Sequence, residues 1–355
     1  MAQLPQHYVI IGNGVAGNEA AWHLRQRDPE SRITIMTAGR LLFINRYELP
    51  SLFNGAGGAG GAGADGNADW RPFLVHPPEY YVDNRIEVRR NTWVDKVDTL
   101  NRTLTLRHKE TVAYDKLLVA SGGGGYVPEN LREFRPLMHP FGTFGDAVRM
   151  RESLPKGGHV IMIGGDMIGL DLGRALVKQG YKITIVGDEY LFWPHNLEGE
   201  RREKAMAALE KMGIEVLPGK KPRAVEAIKS GKQARKVTFE GGGSIKGDVV
   251  MSFCGLMPSL DFMVGASVDI ERGLLVNREL QSTDKGIWAA GDVCQIWSPE
   301  ENHYRFYYGW KNVKDMGRIA AFNMTGGKES VATFQDETLT IKRKGGIDSP
   351  YWEYK

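Results

Sequence analysis

The chain has 355 residues, 42% of them hydrophobic and 25% charged, and its 46 Lys and Arg against 43 Asp and Glu leave a net charge of +3. This length predicts about two globular domains, and the charge balance argues against a nucleic-acid-binding protein, which needs a clustered basic face. Glycine is in excess, with 44 residues. Such an excess indicates low-complexity sequence, tight turns, or backbone that approaches a ligand closely.

Membrane spans, signal peptides and metal sites are not expected from the sequence. No apolar run is long enough to cross a bilayer, and the first residues lack the pattern of a secretory signal. Cys254 and Cys294 form neither a CxxC pair nor a metal set, so we expect two reduced thiols and no catalytic metal. We therefore expect a cytoplasmic protein, either free or peripheral to a membrane complex.

The first elements in chain order predict a β-α-β unit. Residues 7–12 indicate a buried strand, residues 14–27 a helix and residues 33–36 a second strand. Gly12, Gly14 and Gly17 fall at the turn from the strand into the helix. In this context the GxGxxG pattern indicates dinucleotide binding at the helix N-terminus. Gly12 allows the tight turn, Gly14 lets the backbone reach a pyrophosphate, and Gly17 allows close helix–strand contact.

The middle of the chain predicts irregular structure and a meander. The stretch from Gly55 to Gly66 is rich in glycine and alanine, which indicates a flexible loop, either native or engineered. A helix is expected to open at Pro77-Pro78, followed by strands over 86–88 and 92–120. Ser121 and the glycines after it then interrupt the chain.

A second β-α-β unit is predicted from a strand at 159–163, a helix at 167–179 and a strand at 182–186. Its glycine turn carries Asp166 at the middle glycine position, where a carboxylate should crowd and repel a pyrophosphate. Asp188 or Glu189 follows and suits a ribose hydroxyl, and without an Arg there NADH is expected rather than NADPH. A working site and an inherited but impaired site are both compatible with these residues.

The last motif is a strand over 286–290 that ends in Gly291-Asp292, followed by a helix over 309–324. Alone, Gly-Asp is a common turn. Further helices are expected over 144–154 and 198–212. Two β-α-β units about 150 residues apart indicate two dinucleotide-binding domains more readily than one large sheet.

Taken together and in order, these motifs resemble the pyridine nucleotide-disulfide oxidoreductases, flavoproteins with two dinucleotide-binding domains. The resemblance covers residues 7 to about 326 and rests on the segments GNGVAG, ASGG, GGDMIGLDLG, GDVVMSFCGLMPS, AAGD and the final helix. Phe43-Ile44-Asn45-Arg46 and the lack of a disulfide pair are similar to the branch of rubredoxin reductases and nitrite-reductase NADH subunits.

The resemblance implies an α/β fold with two Rossmann-like, three-layer ββα domains of the FAD/NAD(P)-binding type and a truncated C-terminal segment. It places an FAD-binding domain at 1–122 plus 253–325 and an NAD-binding-like domain at 123–252. Residues 326–355 then form a short C-terminal tail or interface segment.

Site residues are implied by the same resemblance. Arg46, beside the flavin ring, and Asp171, close to the nicotinamide, are the expected catalytic residues. Cofactor contacts are expected from Gly12, Gly14, Val15, Ala16, Gly17, Asn45, Arg46, Ala120, Ser121, Gly122, Gly291, Asp292 and Trp310 for FAD, and from Gly164, Gly165 and Asp188 for NADH. The chain departs from the family pattern at Ser51, where a Lys is usual, and at Asp166.

The expected function is that of an FAD-dependent oxidoreductase passing electrons between NADH and a redox partner, such as a rubredoxin- or ferredoxin-type protein. The alternative is an FAD-containing electron-transfer subunit of a larger redox complex with an impaired NADH site. A quinone reductase at a membrane surface is a third hypothesis, but the sequence has no basic amphipathic anchor helix. We expect a homo- or hetero-oligomer and no binding of nucleic acid.

Overall fold

The computed structural model describes residues 4–53, 69–228, 235–332, 340–341 and 347–348. The predicted Gly55–Gly66 loop lies outside these residues, and so does most of the predicted tail at 326–355. Within the described part the helices are α1 Val15–Arg27, α2 Pro78–Asp83, α3 Phe144–Ser153, α4 Met167–Lys178, α5 Gly199–Lys211 and α6 Trp310–Met324. Short 3₁₀ helices span Arg46–Phe53, Arg71–Phe73, Glu129–Leu137 and Asp261–Met263.

The strands of the described part are β1 His7–Ile11, β2 Arg32–Met36, β3 Ile86–Arg89, β4 Val94–Asp98, β5 Thr103–Leu106, β6 Thr111–Ala113, β7 Lys116–Val119, β8 Gly123–Gly125, β9 His159–Gly165, β10 Lys182–Leu191, β11 Ile214–Leu217, β12 Pro222–Ala227, β13 Arg235–Phe239, β14 Ser244–Gly247, β15 Val249–Phe253, β16 Leu256–Pro258, β17 Leu274–Val276, β18 Ile287–Ala289, β19 Cys294–Ser298, β20 His303–Arg305, β21 Thr340–Ile341 and β22 Ile347–Asp348. The predicted helices and both β-α-β units are confirmed. Apart from the end of β10, their ends agree to within two residues because glycine turns and prolines mark them locally.

The chain divides into two compact units. Unit 1 contains Met1–Ile44, Leu74–Gly124 and Met257–Glu337, and unit 2 contains Asn45–Phe73, Gly125–Leu256 and Thr338–Lys355. Each unit is therefore built from separate stretches of the chain.

Unit 1 is centred on a five-stranded parallel sheet in the order β18-β7-β1-β2-β3. Its central strand β1 carries the continuous apolar run from Tyr8 to Ile11, nearly all of it inaccessible to solvent. Such a run is typical of a parallel strand that is covered on both faces. Helices α1 and α6 pack closely together: a Cβ atom on Gly317 of α6 would lie 2.5 Å from the carbonyl oxygen of Ala16 in α1.

Unit 2 is centred on a four-stranded parallel sheet in the order β11-β10-β9-β15. Strand β10 runs to Leu191, five residues beyond the predicted end at 186, because after a register shift Leu191 pairs with Gly165. The antiparallel sheet β12-β13-β14 contains two strands, β12 and β14, that the sequence did not predict. Strand β12 was missed because its alternation is weak, and only its first residue, Pro222, and Val225 are buried.

Candidate functional site

The glycine turn at the carboxyl end of β1 needs glycine at two of its three positions. Gly12 has a φ of +122°, and a Cβ atom there would lie 2.0 Å from the carbonyl oxygen of Ala120. A Cβ atom on Gly17 would lie 2.2 Å from the carbonyl oxygen of Gly12. Around Gly14, in contrast, a Cβ atom would meet nothing within 4 Å. The turn therefore packs tightly against its own unit and leaves open space beside Gly14.

The N-terminus of α1 faces this open space with unpaired donors. Gly14 caps the helix and offers no side chain to bond its first turn. Among the described residues, no acceptor takes the backbone N–H groups of Val15, Ala16 and Gly17. A helix N-terminus with unpaired N–H groups and a partial positive charge favours a diphosphate. The residues present therefore fit the diphosphate of a dinucleotide such as FAD.

Two other predicted segments lie at the same edge of the unit 1 sheet. Ala120 follows β7 and donates its N–H to Ile11 at 2.8 Å, and Ala290 follows β18 and donates to Val119 at 3.0 Å. A Cβ atom on Gly291 would lie 3.5 Å from the Cβ atom of Ala16. The sheet thus brings the carboxyl ends of β1, β7 and β18 together, which is where parallel α/β sheets bind ligands.

Two further members of the predicted FAD site in unit 1, Ser121 and Trp310, have defined partners. The Ser121 hydroxyl donates to the carbonyl oxygen of Ser259 at 2.8 Å. The Trp310 ring stacks on Phe43, with ring centroids 5.9 Å apart and planes inclined by 17°. Helix α6 begins there, after Gly309, which has a φ of +99° and no side-chain cap.

A polar network beneath the glycine turn was missed in the sequence. Asn18 of α1 is buried and donates from Nδ2 to the Oδ1 atom of Asn13 and to the carbonyl oxygen of Gly14, both at 2.9 Å. The Tyr81 hydroxyl donates to its Oδ1 atom at 2.8 Å. Asn18 therefore fixes the turn from inside the helix. Its local signal is a polar residue among the small apolar residues Ala16, Ala20 and Ala21 of the buried helix face.

Replacing Asn18 with Leu is expected to weaken FAD binding about tenfold and to cost about 2 kcal/mol of stability, because it removes three hydrogen bonds and leaves buried polar atoms without partners. Fluorescence titration of the flavin-free protein and chemical denaturation measure the two effects. Adding Tyr81→Phe removes a hydroxyl that Asn18→Leu leaves without a partner. The double variant should therefore lose less unfolding free energy than the two single variants lose in sum. Strict additivity would contradict this coupling.

At the second glycine turn, which follows β9, neighbouring residues of unit 2 fill the space beside the glycines. A Cβ atom on Gly164 would lie 2.4 Å from the carbonyl oxygen of Phe253, and one on Gly165 would lie 2.5 Å from the Leu191 side chain. Asp166 caps α4, is 3% exposed, and accepts a bond from Gly169 N at 2.9 Å. Burial raises the pKa of its carboxyl to about 6.

The other predicted site residues of unit 2 are placed as follows. Asp171 forms an ion pair with Arg174, and burial raises the pKa of its carboxyl. Asn45 is buried and accepts a bond from Tyr47 N at 3.1 Å, whereas Arg46 is exposed. Asp188 lies in β10, and its side chain is outside the described part of the chain. The catalytic roles of Arg46 and Asp171 stay predictions.

A family model described as pyridine nucleotide-disulphide oxidoreductase matches residues 6–315. The chain belongs to this family. The family and the similar proteins confirm the predicted α/β fold class, the branch of rubredoxin reductases and nitrite-reductase NADH subunits, and the expected class of FAD-dependent oxidoreductase.

Three similar proteins illustrate the family. The ferredoxin–NAD(+) reductase component of an anthranilate 1,2-dioxygenase system from Burkholderia cepacia is 26% identical over 330 residues, 92% of this chain and 77% of the relative. The epsilon subunit of an NADH-dependent phenylglyoxylate dehydrogenase from Aromatoleum evansii is 24% identical, over 80% of this chain and 64% of the subunit. A covalent putidaredoxin reductase–putidaredoxin complex has the same fold, with a TM-score of 0.80 at 20% identity over 94% of this chain and 78% of that one.

This pyridine nucleotide-disulphide oxidoreductase has two cysteines, and both are free and buried. Burial raises the pKa of the Cys254 thiol to about 12 and also raises that of Cys294. Because the thiolate is the reactive form, we expect neither thiol of the folded protein to react with DTNB at neutral pH, and both to react in guanidinium chloride. Rapid reaction of either thiol without denaturant would contradict this expectation. Among the described helices, none is long and apolar enough to cross a membrane.

Proposed function

We propose that this chain oxidises NADH and passes the electrons through FAD to a small redox protein. The observation that carries the proposal is the N-terminus of α1, where three backbone N–H groups have no acceptor in the described part of the chain and Gly14 borders open space. Two similar proteins support the acceptor class, because their names specify ferredoxin and putidaredoxin. The cytoplasmic location and the oligomeric state stay predictions from the sequence.

Unit 1 would hold FAD. The N–H groups of Val15, Ala16 and Gly17 would bind its diphosphate, and Asp292, after β18, would accept bonds from its ribityl region. The N-terminus of α6 carries a partial positive charge, which favours negative charge on a ligand placed there. When bound, FAD supplies the exchange between two-electron and one-electron chemistry. The protein supplies position and charge.

Anaerobic addition of NADH to the purified protein tests the proposal. We expect the visible flavin bands to bleach within minutes and to return when an oxidised ferredoxin- or rubredoxin-type protein is added. A flavin that stays oxidised over minutes contradicts oxidation of NADH. A flavin that bleaches but does not reduce such carriers contradicts the acceptor class alone.

The second candidate is an FAD-containing subunit of a larger redox complex that receives electrons from a partner. Asp166 favours it, because its carboxylate accepts bonds from Gly169 N in the second glycine turn and from Gly255 N after β15. The name of the similar Aromatoleum evansii protein, a dehydrogenase subunit, supports it as well. Rapid turnover of NADH with ferricyanide by the isolated chain would exclude this candidate.

A further inference from the structure

The two glycine turns of this chain lead into helices whose N-termini are in opposite states. At α1, the first three N–H groups have no acceptor among the described residues, and the cap residue is Gly14. At α4, in contrast, donors of the first turn have acceptors within unit 2 itself. Met167 N donates to the carbonyl oxygen of Trp193 at 3.1 Å, and Gly169 N donates to the Asp166 Oδ1 atom at 2.9 Å.

Asp166 also reaches across to the neighbouring strand end. Its Oδ2 atom accepts a bond from Gly255 N at 3.0 Å, while its own N–H donates to the carbonyl oxygen of Phe253 at 3.0 Å. Gly255 follows β15, and Asp166 follows β9. The carboxylate therefore bridges two strand ends at the carboxyl edge of the unit 2 sheet.

That bridge lies at the switch point of the sheet. Strand β9 has β10 on one side and β15 on the other, and the chain leaves β9 through α4. In open α/β sheets, the crevice at such a switch point is where ligands bind, with the diphosphate on the helix N-terminus. Asp166 thus places an anionic group where a diphosphate would take the same donors.

The bonding of Asp166 is that of a bound anion, not of a surface ion pair. The carboxylate is 3% exposed, and none of the described ion pairs includes it. Its partners are backbone N–H groups that belong to α4 and to the segment after β15. Such bonds favour the ionised form, while burial opposes it.

We propose that the Asp166 carboxylate is a built-in substitute for the dinucleotide diphosphate, which it excludes from the N-terminus of α4. Asp166 thereby sets a low affinity of unit 2 for diphosphate-containing nucleotides. The inference rests on the proposed function in one respect, namely that unit 2 is the nicotinamide-nucleotide unit. It concerns binding only, so it stands or fails independently of electron transfer to the flavin.

Calorimetric titration of the flavin-loaded protein with ADP-ribose and with adenosine tests this inference. Asp166→Gly releases the N–H donors and removes the charge, so we expect ADP-ribose to bind at least about tenfold more tightly than to the unaltered protein. Adenosine has no phosphate, so its affinity should change less than about twofold. The variant should also unfold at a lower temperature without ligand, because α4 loses its cap.

Two further variants separate charge from folding defects. Asp166→Asn keeps an acceptor for Gly169 N but removes the charge, so its ADP-ribose affinity should lie between those of the other two proteins. Asp248→Asn is the matched control, because the Asp248 carboxylate accepts a backbone bond from His159 N at 2.8 Å, at the opposite end of β9. It should leave ADP-ribose affinity unchanged.

Equal ADP-ribose affinity in the unaltered protein and in both Asp166 variants would overturn the inference. A gain that adenosine or Asp248→Asn reproduces would overturn it as well. Tighter ADP-ribose binding by Asp166→Gly, with a flavin that NADH still cannot reduce, would support this inference and contradict the proposed oxidation of NADH. If Asp166→Gly fails to fold, the ADP-ribose affinities of Asp166→Asn and the unaltered protein are compared instead, and equal affinities would overturn the inference.

Discussion

Replacing Gly14 with Asp is expected to give a folded protein that is purified without FAD. The backbone at Gly14 is extended, with φ −102° and ψ −163°, close to the conformation of Asp166, with φ −65° and ψ 169°. A side chain at position 14 has space, because a Cβ atom there meets nothing within 4 Å. An Asp at this position can therefore cap α1 as Asp166 caps α4.

The expected loss of FAD affinity is about 100-fold or more, since hydrogen bonds to a charged group contribute about 1.5–3 kcal/mol each and several donors are withdrawn. The same cap should stabilise the flavin-free protein by only about 0.3 kcal/mol, because Gly is itself a tolerated N-cap residue. The ratio of visible flavin absorbance to protein absorbance, followed by fluorescence titration with FAD, measures the first effect. Thermal unfolding of the flavin-free protein measures the second.

Gly14→Asn is the matched control for charge. It has nearly the same size and can also cap the helix, but it does not repel a diphosphate, so it should retain more FAD than Gly14→Asp. If Gly14→Asp retains FAD like the unaltered protein, the diphosphate does not bind at this helix N-terminus, and the proposed FAD site in unit 1 is wrong.

Replacing Arg25 with Met is expected to cost about 3 kcal/mol or more of unfolding free energy. Arg25 lies in α1, is 7% exposed, and donates to five backbone carbonyl oxygens at 2.7–3.3 Å. These oxygens belong to Asp28, Pro29, Ser31, Asn84 and Arg85. One guanidinium thus ties the end of α1 to the turn before β3, and a Met leaves buried acceptors without a donor.

Arg27→Met is the control for Arg25. Arg27 is exposed, donates to the Thr325 hydroxyl at 2.9 Å, and lies 4.1 Å from the Phe322 ring centroid. Its loss should cost less than about 1 kcal/mol. Urea denaturation of both variants, followed by circular dichroism, makes the comparison. Equal losses in the two variants would show that the carbonyl contacts of Arg25 contribute little.

The glycine positions illustrate what could be predicted from the chain alone. Gly12, Gly14 and Gly17 were found because a strand, a turn and a helix within a few residues give a local pattern. The family followed from the order of such patterns along the chain. The roles of Asn45, Arg46 and Asp188 stay predictions, because the described contacts do not test them.

Other features depend on residues far apart in sequence. Tyr81 bonds Asn18 from 63 positions away, and no periodicity marks that pair. The glycines of the first turn also differ in their surroundings. Neighbouring backbone leaves no room for a side chain at Gly12 and Gly17, whereas Gly14 borders open space. Position in the motif predicts this division, because the first and third glycines serve the turn and the helix–strand contact and the second leaves room for a diphosphate.

Asp166 shows the difference between what the sequence determines and what only the tertiary structure decides. The sequence by itself determined the two β-α-β units, the family and the presence of an acid in the second glycine turn, because these depend on short-range backbone geometry and on residue order. Only the tertiary structure decided that this acid is buried and bonded to Gly255, 89 residues away. Hydrogen-bond acceptors and burial come from segments that meet only on folding, so they determine which helix N-terminus has donors for a ligand.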